Sequence, residues 1–194
     1  YTSEKQIPIA EALLLVETDG YEDDEVKEEA DTLANICKKH GAYEIQPAQS
    51  SEERDALWGI RKTLSPAMYN KAPFKTNEDI CVPISAYPKI LEIAYQISER
   101  NQVLTLCFGH AGDGNIHVNF MSHQEKDPDV DKSVQELFQA VVDLQGSISG
   151  EHGIGITKAP YIGLELGERE RQLIKDIKKL FDPHNILNPE KIVA

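Results

Sequence analysis

Apolar positions along the chain follow two rhythms, short unbroken runs and repeats at helical spacing. The run AEALLLVET at 10–18, closed by Asp19-Gly20, predicts a buried strand. In the following segment Val26, Ala30, Leu33 and Cys37 recur at helical spacing, with acidic residues in the first turn and Lys38, Lys39 and His40 near the end. Gly41 supplies a stop, so period and charge agree on a helix with a solvated acidic face. Residues 42–47 predict a second strand, and a helix carrying LWGIRKTL starts at Ser50. Residues 75–83 read as a strand ending at Pro83, and 86–100 as an amphipathic helix with Ile90, Ile93, Ala94 and Ile97 on its apolar side. VLTLCFGH and NIHVNFM form a hairpin, a helix covers about 130–144, the Gly-rich loop SGEHGIG follows, and a last helix covers about 168–181. Two β-α-β passes and a hairpin predict an α+β domain, with a ferredoxin-like antiparallel or mixed sheet, helices packed on it, and C-terminal helices.

Composition narrows the partners. The chain has 194 residues, enough for one domain with a sizeable core, and no low-complexity segment. A formal net charge of −13 repels nucleic acid and anionic membranes. The longest apolar stretch, IAEALLLV, is too short to span a bilayer. Cys37, Cys81 and Cys107 are odd in number and lack C-x-x-C spacing, which favours a reducing, cytoplasmic setting. The start YTSEKQ, without Met, is expected of a piece of a longer protein.

The hairpin concentrates the candidate chemistry. With Asp113-Gly114 as a two-residue loop, His110 lies directly opposite His117, and Phe108 opposite Asn119 on the same face. Opposed Cβ atoms stand ~4.5–5.5 Å apart, a separation at which two imidazoles can hold one metal ion. Two turn-flanking histidines on a polar face have the same pattern without a metal. A third ligand has to come from elsewhere, and SGEHGIG offers Glu151, beside His152, between glycines that allow close approach. Arg61 sits mid-helix near Trp58; it is either a surface arginine laid along apolar stem contacts or a planar grip for a small carboxylate. His40, His123 and His184 carry no assigned chemistry.

Three segments, GHAGDGNIH (109–117), SGEHGIGITK (149–158) and FDPHNILNPEKI (181–192), resemble signatures of the C-terminal half of FAD-linked oxidases of the vanillyl-alcohol-oxidase type. That group includes glycolate oxidase D-subunits and D-lactate and D-2-hydroxyglutarate dehydrogenases, and LWGIRK and the K…VP of 75–83 resemble two weaker signatures. The resemblance covers residues 1–194 as one C-terminal domain whose FAD-binding domain lies upstream. It implies a divalent metal (zinc, manganese or iron) on His110, His117 and Glu151, His152 as general base, and Arg61, with Ser65 and Lys75, on the substrate carboxylate. Asn119 resembles a substrate contact. Asn188 and Lys191 fall in the closing motif, where Glu190 replaces the usual Gly, and are expected near the flavin.

The implied activity is oxidation of a D-2-hydroxy acid such as glycolate or D-lactate by hydride transfer to FAD. The implied partners are the flavin domain, an electron acceptor (a quinone or electron-transfer flavoprotein), and a second copy in a homodimer, in the cytoplasm or peripheral to a membrane. A metal-dependent hydrolase using His110, His117 and Glu151, and a non-catalytic module of the same fold, are the alternatives.

Overall fold

The computed structural model of the protein describes residues 10–191. The chain divides into two compact units, with the boundary between Ala67 and Met68.

The N-terminal unit carries α1 (Asp23–Lys39) and the greater part of α2 (Ser51–Met68). Both helices form where spacing and charge place them. Asp23, Asp24 and Glu25 occupy the first turn of α1 and Lys38 and Lys39 the last, which complements the helix dipole. Beyond α1, Gly41 takes a φ of +94°, open to glycine at no steric cost. At the start of α2 the Ser50 hydroxyl accepts from the Glu53 amide, and the Glu53 carboxylate accepts from the Gln49 amide, a reciprocal cap. The strands expected at 10–18 and 42–47 do not form, and neither therefore does the first β-α-β pass. Leu13, Leu14, Leu15 and Val16 are apolar enough for a strand, but extended backbone becomes a strand only where a neighbour pairs with it.

The C-terminal unit holds β1 (Phe74–Cys81), α3 (Tyr87–Asn101), β2 (Leu104–His110), β3 (Asn115–Ser122), α4 (Pro128–Asp143), α5 (Ile162–Glu165) and α6 (Glu168–Phe181). Its sheet is antiparallel in the order β1-β3-β2. With α3 between β1 and β2, and α4 after β3, this is the split β-α-β arrangement of a ferredoxin-like α+β fold. At the outer edge of β1, where that arrangement would add a fourth strand, the described residues form one bridge, Cys81 to Ser147.

The sheet has two chemically distinct faces because side chains alternate along each strand. Ile80 of β1 and Ile116, Val118 and Phe120 of β3 are fully buried on the face covered by helices. Ile90, Ala94 and Ile97 at i, i+4, i+7 of α3, and Val134, Leu137, Phe138 and Val141 of α4, complete that core. Each of the Val, Leu, Ile and Phe side chains contributes roughly 1.5–3 kcal/mol by leaving water, so this layer fixes the register of the opposite face.

Candidate active site

The opposite face carries the polar chemistry. Along β3 it presents Asn115, His117, Asn119 and Met121; β1 aligns Asp79 with His117 and Lys75 with Met121, and β2 aligns His110 with Asn115 and Phe108 with His117. The expected facing of His110 and His117 is therefore corrected, as is that of Phe108 and Asn119. The β2–β3 loop spans four residues, 111–114, instead of two, and opens with the Asp113 amide bonded to the His110 carbonyl at 3.0 Å. Gly114 closes it at a φ of +73°, where a Cβ would lie 2.0 Å from the Val82 carbonyl oxygen. The register slips by two, and a slip of two keeps every side chain on its face. His110 and His117 thus meet as diagonal neighbours, ring centres 6.1 Å apart, while Phe108 covers the His117 ring at 5.2 Å.

The loop after α4 brings in the remaining groups. Glu151 Oε1 lies 3.5 Å from His117 Nε2 and 3.6 Å from His152 Nε2, and the His152 and His117 rings are 5.4 Å apart. Candidate ligand atoms of His110, His117 and Glu151 all fall within 4.8 Å of one another. Burial holds His117 below the ordinary imidazole range, reinforced by His152 and His110 and opposed by the carboxylates Asp79 and Glu151. A depressed value keeps the ring neutral near pH 7, the form that donates a lone pair. Glu151 and His152 are half exposed and open to small solutes.

Asp79, His117 and His152 also come within 4.8 Å of one another. Of the two groups, the one with Glu151 is better suited to an ion. Asp79 already accepts the Asn115 amide at Oδ1 and the Glu151 and His152 backbone amides at Oδ2. Burial raises the Asp79 carboxyl, but the His152 amide, the Asn115 side chain and the Glu151 amide outweigh it and leave it below the usual range.

Beneath Asp79, on the core face, lies a buried ion pair. Lys158 Nζ donates to the carbonyls of Asp79 and Ile148, each at 2.7 Å, and stands 3.8 Å from Glu78 Oε2. It binds β1 to the segment that leads into the Gly-rich loop. Asp79, Asn115, Glu78 and Lys158 are the site residues that sequence reasoning missed. For Asp79, Glu78 and Lys158 the signal was the placement of charged residues inside NEDIC and GITK, which only the register turns into contacts.

The other expected site residues are distributed as follows. Asn119 is fully buried on the site face; its Nδ2 donates to the Leu106 and His117 carbonyls, and its Oδ1 has no hydrogen-bond partner. Lys75 Nζ stands 5.4 Å from the Tyr69 ring centre. Arg61 and Ser65 belong to α2 in the N-terminal unit. Asn188 Oδ1 accepts from Lys191 Nζ at 3.2 Å, and between them Glu190 has a φ of +61°, the conformation in which glycine is favoured. No helix among the described residues is long and apolar enough to cross a membrane.

The profile of FAD linked oxidases, C-terminal domain, matches residues 3–192. The chain is 35% identical over 188 residues to glycolate oxidase subunit GlcD of Bacillus subtilis, covering 95% of this chain and 40% of that protein. It is 31% identical to the mitochondrial D-lactate dehydrogenase [cytochrome] of Arabidopsis thaliana, covering 86% of this chain and 30% of that protein. Against D-2-hydroxyglutarate dehydrogenase of Stutzerimonas stutzeri the identity is 35%, covering 76% of this chain and 33% of that protein. The chain thus spans well under half the length of these relatives.

Proposed function

Since the chain belongs to the family of FAD linked oxidases, C-terminal domain, we propose that it is the substrate-handling half of a flavoenzyme that oxidises a D-2-hydroxy acid, glycolate or D-lactate among them, to the 2-oxo acid. The observation that carries this reading is the convergence of His110, His117 and Glu151 on one sheet face with His152 beside them. Two imidazoles, one held neutral by burial, and an exposed carboxylate are a donor set that fits zinc, manganese or iron. When bound, a divalent ion supplies Lewis acidity toward the C2 hydroxyl, and FAD supplies the acceptor for the hydride from C2.

The chain's own residues do the rest of the work. His152 receives the hydroxyl proton; its ring is half exposed and can be reached by a small acid. Loss of that proton and of the C2 hydride together removes two electrons and two hydrogens and leaves the C2 carbonyl. Arg61, helped by Ser65 and Lys75, grips the substrate carboxylate, a role that its position in LWGIRK supports. Asn119 contacts the substrate, a role that its place on the same sheet face as His117 supports. Asn188 and Lys191 contact the flavin, electrons pass on to a quinone or an electron-transfer flavoprotein, and the enzyme works in the cytoplasm, as a homodimer or peripheral to a membrane.

The test is the visible spectrum of the full-length protein with D-lactate, glycolate and D-2-hydroxyglutarate. Flavin bands should bleach with one acid, and His152→Ala and Arg61→Ala should each suppress the bleaching. A colourless full-length protein, or bleaching unaltered in both variants, overturns the assignment.

A further inference from the structure

One fully buried carboxylate faces both candidate histidines. Asp79 stands opposite His117 in the β1–β3 register and has no exposed surface. Its Oδ1 accepts Asn115 Nδ2 at 2.5 Å and lies 4.0 Å from His117 Nδ1. Its Oδ2 accepts the Glu151 and His152 backbone amides at 2.6 and 2.9 Å and lies 3.9 Å from His152 Nδ1. Both imidazoles thus turn Nδ1 toward Asp79 and Nε2 toward Glu151. Space for this is kept by Gly150, where a Cβ would fall 2.6 Å from Asp79 Oδ1 and 2.2 Å from Asn115 Nδ2.

We propose that Asp79 is the positioning residue of the site, a single buried carboxylate that ties the Gly-rich loop to β1 and orients His117 and His152 through their Nδ1 sides. The tie is made of hydrogen bonds; the consequence for the two imidazoles rests on the proposed function. A negative charge on the Nδ1 side favours the tautomer with its proton there, which leaves Nε2 with a lone pair. For His117 that lone pair points to the Glu151 side, where an ion would sit, and for His152 it is the atom that takes a proton. Carboxylates behind metal-bound histidines fix ring orientation and raise ligand basicity in the same way. Asp79 would serve a ligand and a base together, so that neither can turn without the other.

The experiment uses Asp79→Asn and Gly150→Ala in the full-length protein. The first sets an amide donor among the three donors that now meet the carboxylate; the second pushes the Asp79–Asn115 pair apart without altering charge. Two readouts are taken: hydrogen exchange at the Glu151 and His152 amides, and zinc affinity by calorimetry. Both variants should keep their far-UV dichroism, exchange those two amides at least about tenfold faster, and bind zinc roughly 10–100-fold more weakly. Unchanged protection of the two amides in a folded variant overturns the tie. A lower melting temperature with unchanged zinc affinity overturns the positioning role. Should Asp79→Asn fail to fold, Gly150→Ala decides alone. If the unmutated protein binds no zinc, manganese or ferrous iron, the metal assignment falls and exchange at Glu151 and His152 still decides whether Asp79 holds the loop.

Discussion

Replacing Lys158 with methionine is the sharpest available test of how β1 and the Gly-rich loop are joined. Methionine keeps the length and apolar stem but removes an ammonium that donates to two backbone carbonyls and pairs with Glu78. Hydrogen bonds from a charged donor contribute about 1.5–3 kcal/mol each, and breaking a buried pair costs about 3–5 kcal/mol, figures that overlap because the same atoms are counted. A loss of about 3–5 kcal/mol at pH 8 is therefore expected.

The pH dependence supplies the second half of that test. Burial, with a smaller push from Asp79, lifts the Glu78 carboxyl from 4.5 to about 7, while Lys158 pulls it down. A folded value above the unfolded one means that the native chain holds the proton more tightly. The stability Glu78 contributes is complete below about pH 4.5 and is lost as pH rises through about 7. Without Lys158 the downward pull disappears, so the loss runs deeper and continues to higher pH. At pH 5, with Glu78 protonated in both proteins, only the orphaned carbonyls remain, and the gap should shrink to about 2 kcal/mol. Urea titrations at the two pH values measure this, and Glu78→Gln added to Lys158→Met should remove the pH-dependent part. A variant within about 1 kcal/mol of the parent at both pH values would refute the reasoning.

Two further changes address single local features. Glu190→Gly relieves a left-handed conformation that costs a side-chain-bearing residue about 1–2 kcal/mol, offset by glycine's greater unfolded freedom, so a net gain of up to about 1 kcal/mol is expected in thermal melts. Asp127→Ala removes the α4 cap, in which the carboxylate accepts the Asp129 amide at 3.0 Å, and should cost about 1 kcal/mol by urea titration. Chiefly the Ser122 hydroxyl holds the Asp127 carboxyl below its ordinary value, so the Asp127 contribution should be present near neutrality and fade as pH falls through that lowered value.

Periodicity sufficed for α3, α4 and α6 and for the three strands of the C-terminal unit, though not for the short α5; Ile90, Ala94 and Ile97 mark the buried side of α3 directly. It failed at 10–18, where an apolar run carries no information about whether a partner strand exists. The histidine pair was legible to the face but not to the rung, since Asp113-Gly114 closes a two-residue or a four-residue loop equally well and parity is the same in both. Glu151 and His152 were recognisable because glycines frame them. Asp79 was not, because its importance comes from three donors, two of them more than seventy positions away in the chain. Glu78 and Lys158 were hidden for the same reason: sequence shows charge, and only packing shows that these charges are buried together.

The isolated bridge between Cys81 and Ser147 has a consequence for how much sequence change the following segment tolerates. A complete fourth strand would hold the following segment by ladder bonds that any sequence makes, and would fix its path rung by rung. In its place, the segment is fastened by side chains: Asp79 of β1 accepts two of its amides on one face, and its own Lys158 reaches back to the Asp79 carbonyl on the other. Its length and course between those fastenings are thereby released from the sheet's geometry. Changes of length or composition in this stretch that keep the two anchors should leave undisturbed the β-layer on which the histidines stand.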